Sequence, residues 1–409
     1  MRGVKPVLAA VCVTALAALS ACGSGGGGDA GAKAKPGANL TGPDVKVMTW
    51  SEWNTQAINY PGIPYAAQVA ADYVNDHGGI NGHRIVLETC NAQGDPNRAE
   101  QCARQAVSSK AVAVLGSFTQ FGNRTVPVLE QAHIPMIGLT PLTAPEYTSE
   151  WSFPISGGSY ANTAGEAQRA VDAGCKQVAV AQADNPAADA ATNTFKLAAA
   201  THNLKVVGPI RLPLTATDFA PQVAQTRGSD CVAFVTAPGQ VAIFLKSLAQ
   251  SGEKPKLINF VGGIDDTVLN KTGGVAEGML TDGWYPPTTS PLWKGYRDAI
   301  DTYAGSHKKD IALVSDQNST AWLTFQIFQK VTKGLSAVTG DTVADALRRT
   351  TALDTGGLTP PLNWSKPGPI SSIPRIVNAT VFPGKVEDGK VVADGKEFIQ
   401  VAPLLRDLR

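Results

Sequence analysis

Val74-Asn75-Asp76-His77-Gly78-Gly79-Ile80-Asn81-Gly82 joins two different periodicities. Before it, Ala66, Val69, Ala70, Tyr73 and Val74 recur at helical spacing on one face, which predicts a helix over Tyr65 to His77. Gly78 and Gly79 stop that helix, and Ile80-Asn81-Gly82 turns the chain into a strand over Arg84 to Glu88. Val45 to Trp50 reads as the strand that precedes the helix. Strand, helix and strand in that order make a βαβ unit, the building block of a parallel sheet.

Outward from this unit the pattern repeats. Asp95-Pro96 opens a second helix, with proline at a first-turn position where its missing N–H is harmless, and Ala99, Cys102, Ala103, Ala106 and Val107 form its buried face. Ala111 to Gly116 and Pro135 to Leu139 are short apolar runs with little alternation, as expected for strands covered on both faces. The pattern restarts at residue 163 with helices Thr163 to Ala173, Ala188 to His202, Asp218 to Thr226 and Gln240 to Gln250. Strands Gln177 to Gln182, Lys205 to Ile210, Cys231 to Thr236 and Leu257 to Val261 follow them in turn. Two consecutive series predict an α/β protein of two doubly wound parallel-sheet lobes. From Trp284 the texture changes. Tyr285-Pro286-Pro287 reads as a crossover, and helices follow at Leu292 to Tyr303, Ser319 to Leu335 and Thr342 to Arg349. Beyond Leu362 the chain is strand-rich, with strands expected at Arg375 to Phe382 and Lys385 to Val392 and a hairpin turn signal at Asp388-Gly389.

The front of the chain has a separate logic. Arg2 and Lys5 precede an apolar run from Val7 to Leu19, too short to span a bilayer as a mature helix, and small residues lead to Cys22. This order predicts a secretory signal peptide over residues 1–21. Leu19-Ser20-Ala21-Cys22 resembles a bacterial lipobox, which implies cleavage before Cys22, lipid on its thiol and an anchor on the extracytoplasmic face of the cell membrane. The alternative is an ordinary secreted protein with a cysteine at its cleavage site. Residues 22–44 are rich in Gly, Ala, Lys and Pro and read as a flexible tether. No Gly-Lys-Ser or Gly-Lys-Thr follows the glycine run, so it is not a phosphate loop.

Losing residues 1–21 from the 409 removes two basic residues and no acid, so 33 Lys and Arg face 34 Asp and Glu, a net −1. That balance argues against a nucleic-acid partner and against a polybasic membrane patch. Four cysteines stay in the folded region, Cys90, Cys102, Cys175 and Cys231, an even number suited to an oxidising compartment. There is no Cys-x-x-Cys and the five histidines are scattered, so neither a structural metal nor a cofactor is expected.

Several stretches together resemble the solute-binding proteins of bacterial ABC importers, of the leucine/isoleucine/valine-binding, type I periplasmic kind. They are Val74 to Gly82, Cys90 to Val107 with its Gly94-Asp95-Pro96, Val112 to Gln120, and Gly274-Val275-Ala276-Glu277-Gly278-Met279-Leu280. The resemblance implies two lobes joined by a three-segment hinge, with residues 45–157 plus 286–363 in lobe 1 and 158–285 plus 364–409 in lobe 2. It implies a monomer that closes on a small molecule and presents the closed form to permease subunits. The second stretch resembles the family's disulfide-bearing segment, which gives Cys90–Cys102. In a lobe of strand order 2-1-3-4, Cys175 and Cys231 lie at the same end of neighbouring strands and form either a second bridge or two buried thiols.

Ligands in open parallel sheets sit beyond the carboxyl ends of the strands. That rule selects Trp50 and Trp53, Ser117, Phe118, Thr119 and Gln120, and Thr140 and Thr143 in lobe 1; Asp184, Pro238 and Asp265 in lobe 2; and Tyr160 after the first crossing. Free N–H groups at a helix start suit a carboxylate there, and the resemblance implies that the loop at Ser117 and the one holding Thr143 take an amino acid's carboxylate and ammonium. The alternative for each hydroxyl is helix capping, and for each indole core packing. Tyr160 and Trp284 either line the cleft or serve the hinge. The chain departs from the family at Trp50-Ser51-Glu52-Trp53, usually a small glycine-rich loop. It departs again at Asn185-Pro186-Ala187-Ala188, where an aromatic residue is common, and at Ile264, where a glutamate is common and Asp265 is the adjacent substitute.

The expected function is capture of a small polar molecule, an amino acid or related amide or carboxylate, for an ABC importer. A sensory lipoprotein of the same fold is the second reading. A surface hydrolase is the third; it lacks any His-Glu-x-x-His or Gly-x-Ser-x-Gly in the folded region, and its one adjacent acid pair in a cleft loop, Asp265-Asp266, also reads as a helix cap. The protein is therefore not expected to be an enzyme.

Overall fold

The computed structural model describes residues 40–55, 58–272 and 274–408. The signal peptide, the lipid site Cys22 and the tether up to residue 39 lie outside the described residues.

Lobe 1 is built on a five-stranded, all-parallel sheet in the order β2-β1-β3-β4-β5. Its strands are β1 (Gly42–Ser51), β2 (His83–Asn91), β3 (Ala113–Leu115), β4 (Met136–Ile137) and β5 (Ser152–Phe153). The helices after them are α1 (Gly62–Asp76), α2 (Pro96–Ser108), α3 (Gly122–Gln131) and α4 (Ala144–Thr148). Period-two alternation along β1 sends Val45 and Val47 to one apolar cluster, and Met48 and Trp50 to another that they share with α2 and α3. The predicted helix and turn stand as read. Gly79 has φ +61°, and a Cβ there would run into the His83 carbonyl oxygen. The end of α1 is tied to edge strand β2 by Asn75, whose Nδ2 donates to the Ile85 carbonyl at 2.9 Å and whose Oδ1 accepts the Ile85 N–H at 2.8 Å. This covers backbone groups that an edge strand leaves unpaired.

Lobe 2 carries the larger sheet, in which β7-β6-β8-β9-β10 run parallel and β11 and β12 continue antiparallel. Its strands are β6 (Gln177–Ala183), β7 (Lys205–Leu212), β8 (Cys231–Val235), β9 (Lys256–Phe260), β10 (Leu280–Gly283), β11 (Thr380–Glu387), β12 (Lys390–Ala393) and β13 (Ile399–Gln400), the last pairing antiparallel with β11. Helices α5 (Gly158–Asp172) and α6 (Pro186–Ala200) cover one face, and α7 (Ala220–Gln225), α8 (Pro238–Ser251) and α9 (Asp266–Lys271) the other. After β10 the chain returns to lobe 1, where α10 (Lys294–Tyr303), α11 (Asp316–Thr332) and α12 (Gly340–Arg348) join α1 over the first sheet. Both faces of each sheet are thus buried, which explains the apolar, non-alternating strands.

Both disulfides are present. Cys90–Cys102 spans 5.6 Å between Cα atoms and Cys175–Cys231 spans 6.1 Å, the second bridging the starts of neighbouring strands β6 and β8.

Four expectations are corrected. The apolar runs at 111–116 and 135–139 shrink to three- and two-residue strands because Gly116 and Gly138, both at positive φ, turn the chain away where α11 presses close. A Cβ on Gly116 would lie 2.6 Å from the Ala321 Cα. Helix α11 starts at Asp316, capped by Ser315, rather than at Ser319; its first turn is polar and yet buried, which hid it from a search for apolar faces. Residues 375–379 lie outside any strand, β11 begins only at Thr380, and Lys385 lies inside that one strand, which runs unbroken to the Asp388-Gly389 turn. Helix α3, with Pro127 inside it, and the short strand β5 were not anticipated.

Candidate functional site

The carboxyl ends of both sheets face a cavity of about 260 Å³. Lobe 1 contributes Ile58, Tyr60, Phe118, Gln120, Thr140, Leu142 and Thr143. The hinge side contributes Ser159, Tyr160, Asn162 and Thr163 from the start of α5, with Trp284 and Gln317. Lobe 2 contributes small side chains: Ala183, Ala187, Ala188, Ala190, Ala191 and Ala237, along with Asn185, Leu214, Val235, Thr236, Gln240 and Phe260. None of these described residues carries a formal charge.

Many of the polar groups in this wall are already engaged. Thr163 Oγ1 donates to the Ser159 carbonyl at 2.9 Å, and Gln240 bonds to Thr236 Oγ1 and to the Leu212 carbonyl. Thr143 caps α4 in a capping box, and Glu146 Oε2 accepts from Leu142 N, Thr143 N and Thr143 Oγ1 at 2.9, 2.8 and 3.0 Å. Burial nonetheless outweighs those bonds and pushes the Glu146 carboxyl up to about 7. Asn162 differs, since it is buried and its Oδ1 has no partner. The Tyr60 phenol is raised by burial first, then by Asp265 and Glu52, so it stays a donor; it reaches the Gly262 carbonyl of lobe 2 at 3.5 Å.

The loop before α3 holds a second acidic group close to this wall on the lobe 1 side. Glu52, at the end of β1, is fully buried. Its Oε1 accepts from Gln120 N at 3.1 Å and Thr119 Oγ1 at 3.3 Å, and its Oε2 accepts from Gln120 Nε2 at 2.9 Å. A side chain of the protein thus sits where the loop's donors converge ahead of the α3 N-terminus.

Residues 55–369 match the family model described as periplasmic binding protein. The chain belongs to that family. Its relatives are of the leucine/isoleucine/valine-binding kind: it is 28% identical over 225 residues to Leu/Ile/Val-binding protein homolog 6 of Brucella suis biovar 1, covering 52% of this chain and 57% of that one. The aligned region therefore spans little more than half the length of this curated relative. Among solved structures, the fatty acid ABC transporter substrate-binding protein of Thermomonospora curvata superposes with a TM-score of 0.73 at 17% identity, covering 90% of this chain and 96% of that one. An ABC transporter solute-binding protein of R. palustris, in complex with 4-hydroxybenzoate, superposes with a TM-score of 0.70 at 20% identity, covering 89% and 99%. At these identities the likeness establishes the fold, two parallel-sheet α/β lobes. The family's members are solute-binding proteins.

Of the residues singled out in this binding protein's sequence, Phe118, Gln120, Thr140, Thr143 and Tyr160 line the cavity, and Trp284 does too. The others do not. Trp50 points the opposite way, into the core under α2 and α3, because strand alternation places it with Met48. Trp53 is held by Asn91 through both backbone groups, 3.1 and 2.9 Å away. Ser117 is buried behind Thr140, whose N–H donates to its carbonyl, and Thr119 turns to Glu52. Asp184 is exposed and pairs with Arg211 at 2.9 Å. Pro238 opens α8 and leaves the wall to Ala237. Asp265 caps α9 by accepting from Val268 N at 2.8 Å, and Asp266 Oδ2 accepts from Leu313 N and Val314 N at the entry to α11. The acid pair is thus used in capping and in tying α9 to the segment before α11.

Tyr60, Asn162, Thr163, Ala190, Ala191 and Gln317 line the cavity and were not expected from sequence, whereas Ala187, Ala188 and Gln240 fall in strand-end loops that were. Ser159, Asn162 and Thr163 stand three and four residues apart, a polar stripe at helical spacing that was a readable signal. Tyr60 offered none, because a long loop after β1 carries it back.

Proposed function

We propose that this protein captures a small, uncharged and largely apolar solute between its lobes, outside the cytoplasmic membrane, and releases it to the permease of an ABC importer. Lipid on Cys22 is the proposed anchor. The observation that carries the ligand class is the uncharged cavity wall. A buried ammonium or carboxylate without a partner costs several kcal/mol, so a zwitterionic amino acid would lose there what its side chain gained. Of the amino acid, amide or carboxylate expected from sequence, this reading keeps the neutral amide. The neighbours whose names carry a fatty acid and 4-hydroxybenzoate lend support of one kind: ligands with apolar bodies are compatible with this architecture. Ligand contacts on both walls would favour the closed form, which Tyr60 to Gly262 already bridges.

The test is native mass spectrometry of freshly purified protein for a retained small molecule, followed by calorimetry with leucine, neutral amides and alcohols, and aromatic carboxylates. Neutral compounds are expected to bind and to compact the protein in X-ray scattering. Leucine binding more tightly than every neutral compound overturns the ligand class.

A further inference from the structure

Three donors from one loop, Thr119 Oγ1, Gln120 N and Gln120 Nε2, converge on the Glu52 carboxylate. The loop leads into α3, a ten-residue helix whose first residues have no side-chain cap. A carboxylate at this position is what such a loop favours, and the protein supplies its own. Two consequences follow. A ligand carboxylate entering next to Gln120 meets like charge where little water screens it. The Gln120 amide is also fixed in sense, because a carboxylate only accepts. Nε2 must face Glu52, and Oε1, without a partner among the described residues, is left at the cavity side as an acceptor. Asn162 also lines the cavity, but its Oδ1 is buried away from the open space and without a partner, so Gln120 Oε1 carries the acceptor role.

We propose that Glu52 is the specificity-determining residue of the cleft: it fills the anion seat of the loop before α3 and orients Gln120, so the site selects an uncharged ligand that donates hydrogen bonds, such as a primary amide or alcohol on an apolar body, over the matching carboxylate. This deepens the function proposed above and rests on it for the apolar body alone. Glu52 acts through Gln120 as a positioning residue, so the readout is selectivity rather than affinity.

Isovaleramide and isovalerate are near-isosteric probes that differ in charge and in donor capacity. Calorimetry of the full chain is expected to give a preference for the amide of about tenfold or more. Glu52→Gln, which keeps the shape and removes the charge, is expected to erase most of that preference. Equal affinities in the wild type, or an unchanged ratio in folded Glu52→Gln, overturn the proposal. A second arm does not depend on the solute. Glu52→Ala vacates a space that fits acetate, so acetate is expected to raise its melting temperature saturably and to leave the wild type unmoved. Equal shifts in both proteins overturn the proposal, as does no shift in a folded variant. If Glu52→Ala does not fold, the Glu52→Gln ratio decides. If the wild type binds neither probe, the apolar-solute reading fails, and acetate rescue still reports whether Glu52 fills an anion seat.

Discussion

The two walls of the cleft are built on opposite plans. On lobe 1, loops after β1, β3 and β4 bring polar groups that are locked by buried carboxylates: Glu52 holds Thr119 and Gln120, and Glu146 holds Leu142 and Thr143. On lobe 2, the first turns of α6 present Ala187, Ala188, Ala190 and Ala191, side chains with no rotamers and no polar atoms. One wall fixes orientation and the other supplies room. A receptor made this way can change ligand size by altering lobe 2 and ligand chemistry by altering lobe 1.

The largest expected effect separates the lobes themselves. Each is closed by one disulfide, but the bridges span 12 and 56 residues. Loop-closure entropy then assigns roughly 3 kcal/mol to Cys90–Cys102 and about 4 kcal/mol to Cys175–Cys231. Urea unfolding of the two double serine variants should rank them in that order. The reverse order would make lobe 1 packing, and not chain entropy, the source of the difference.

Next comes pH. Glu146 holds its proton up to about 7 when folded and releases it near the ordinary glutamate value when unfolded. Between those values the folded state binds more protons, so stability falls as pH rises from about 4.5 to 7, by on the order of 3 kcal/mol at most. Glu146→Gln should flatten that part of the profile of melting temperature against pH. The slope that persists has contributions from Glu166 and Asp282, deep in lobe 2, and from Asp316 at the start of α11, all three pushed well up, chiefly by burial. An unchanged profile would remove the titrating group from the lobe 1 wall.

Filling the open wall comes third. Ala191→Trp should weaken binding of any solute that occupies the cavity by roughly 10–100-fold, with circular dichroism unchanged. Retained affinity would mean that the solute leaves lobe 2 untouched. The smallest effect is expected from Tyr60→Phe. Its bond across the cleft is at the 3.5 Å limit of a hydrogen bond, so its loss should change affinity by about fivefold or less. A larger loss would give Tyr60 a direct contact with the solute.

Much of this was readable in the chain. The βαβ units, the pairing of Cys90 with Cys102, and Phe118, Gln120, Thr140 and Thr143 beyond strand ends all follow from local periodicity, turn residues and the resemblance. What could not be read was which way a side chain faces once strands are placed. Trp50 was selected for being at a strand end, and the alternation set by Met48 turns it into the core. Helix α11 began a turn early because its buried polar residues obey the crossing, not an apolar stripe.

The stretch from Val74 to Gly82 shows the division clearly. Apolar spacing and two glycines determined by themselves that a helix ends there and a strand follows, because both depend on neighbours along the chain. Only the tertiary structure decided that Asn75 closes the edge of β2 and that Asn81 Nδ2 donates to the Thr332 carbonyl, 251 residues away. The same holds for Glu52. In sequence it stands only as an acid within Trp50-Ser51-Glu52-Trp53, and its role arises because β1 and β3 lie side by side and bring the loop before α3 over it. Hydrogen bonds to a buried charge are set by distance in space, which no local pattern encodes.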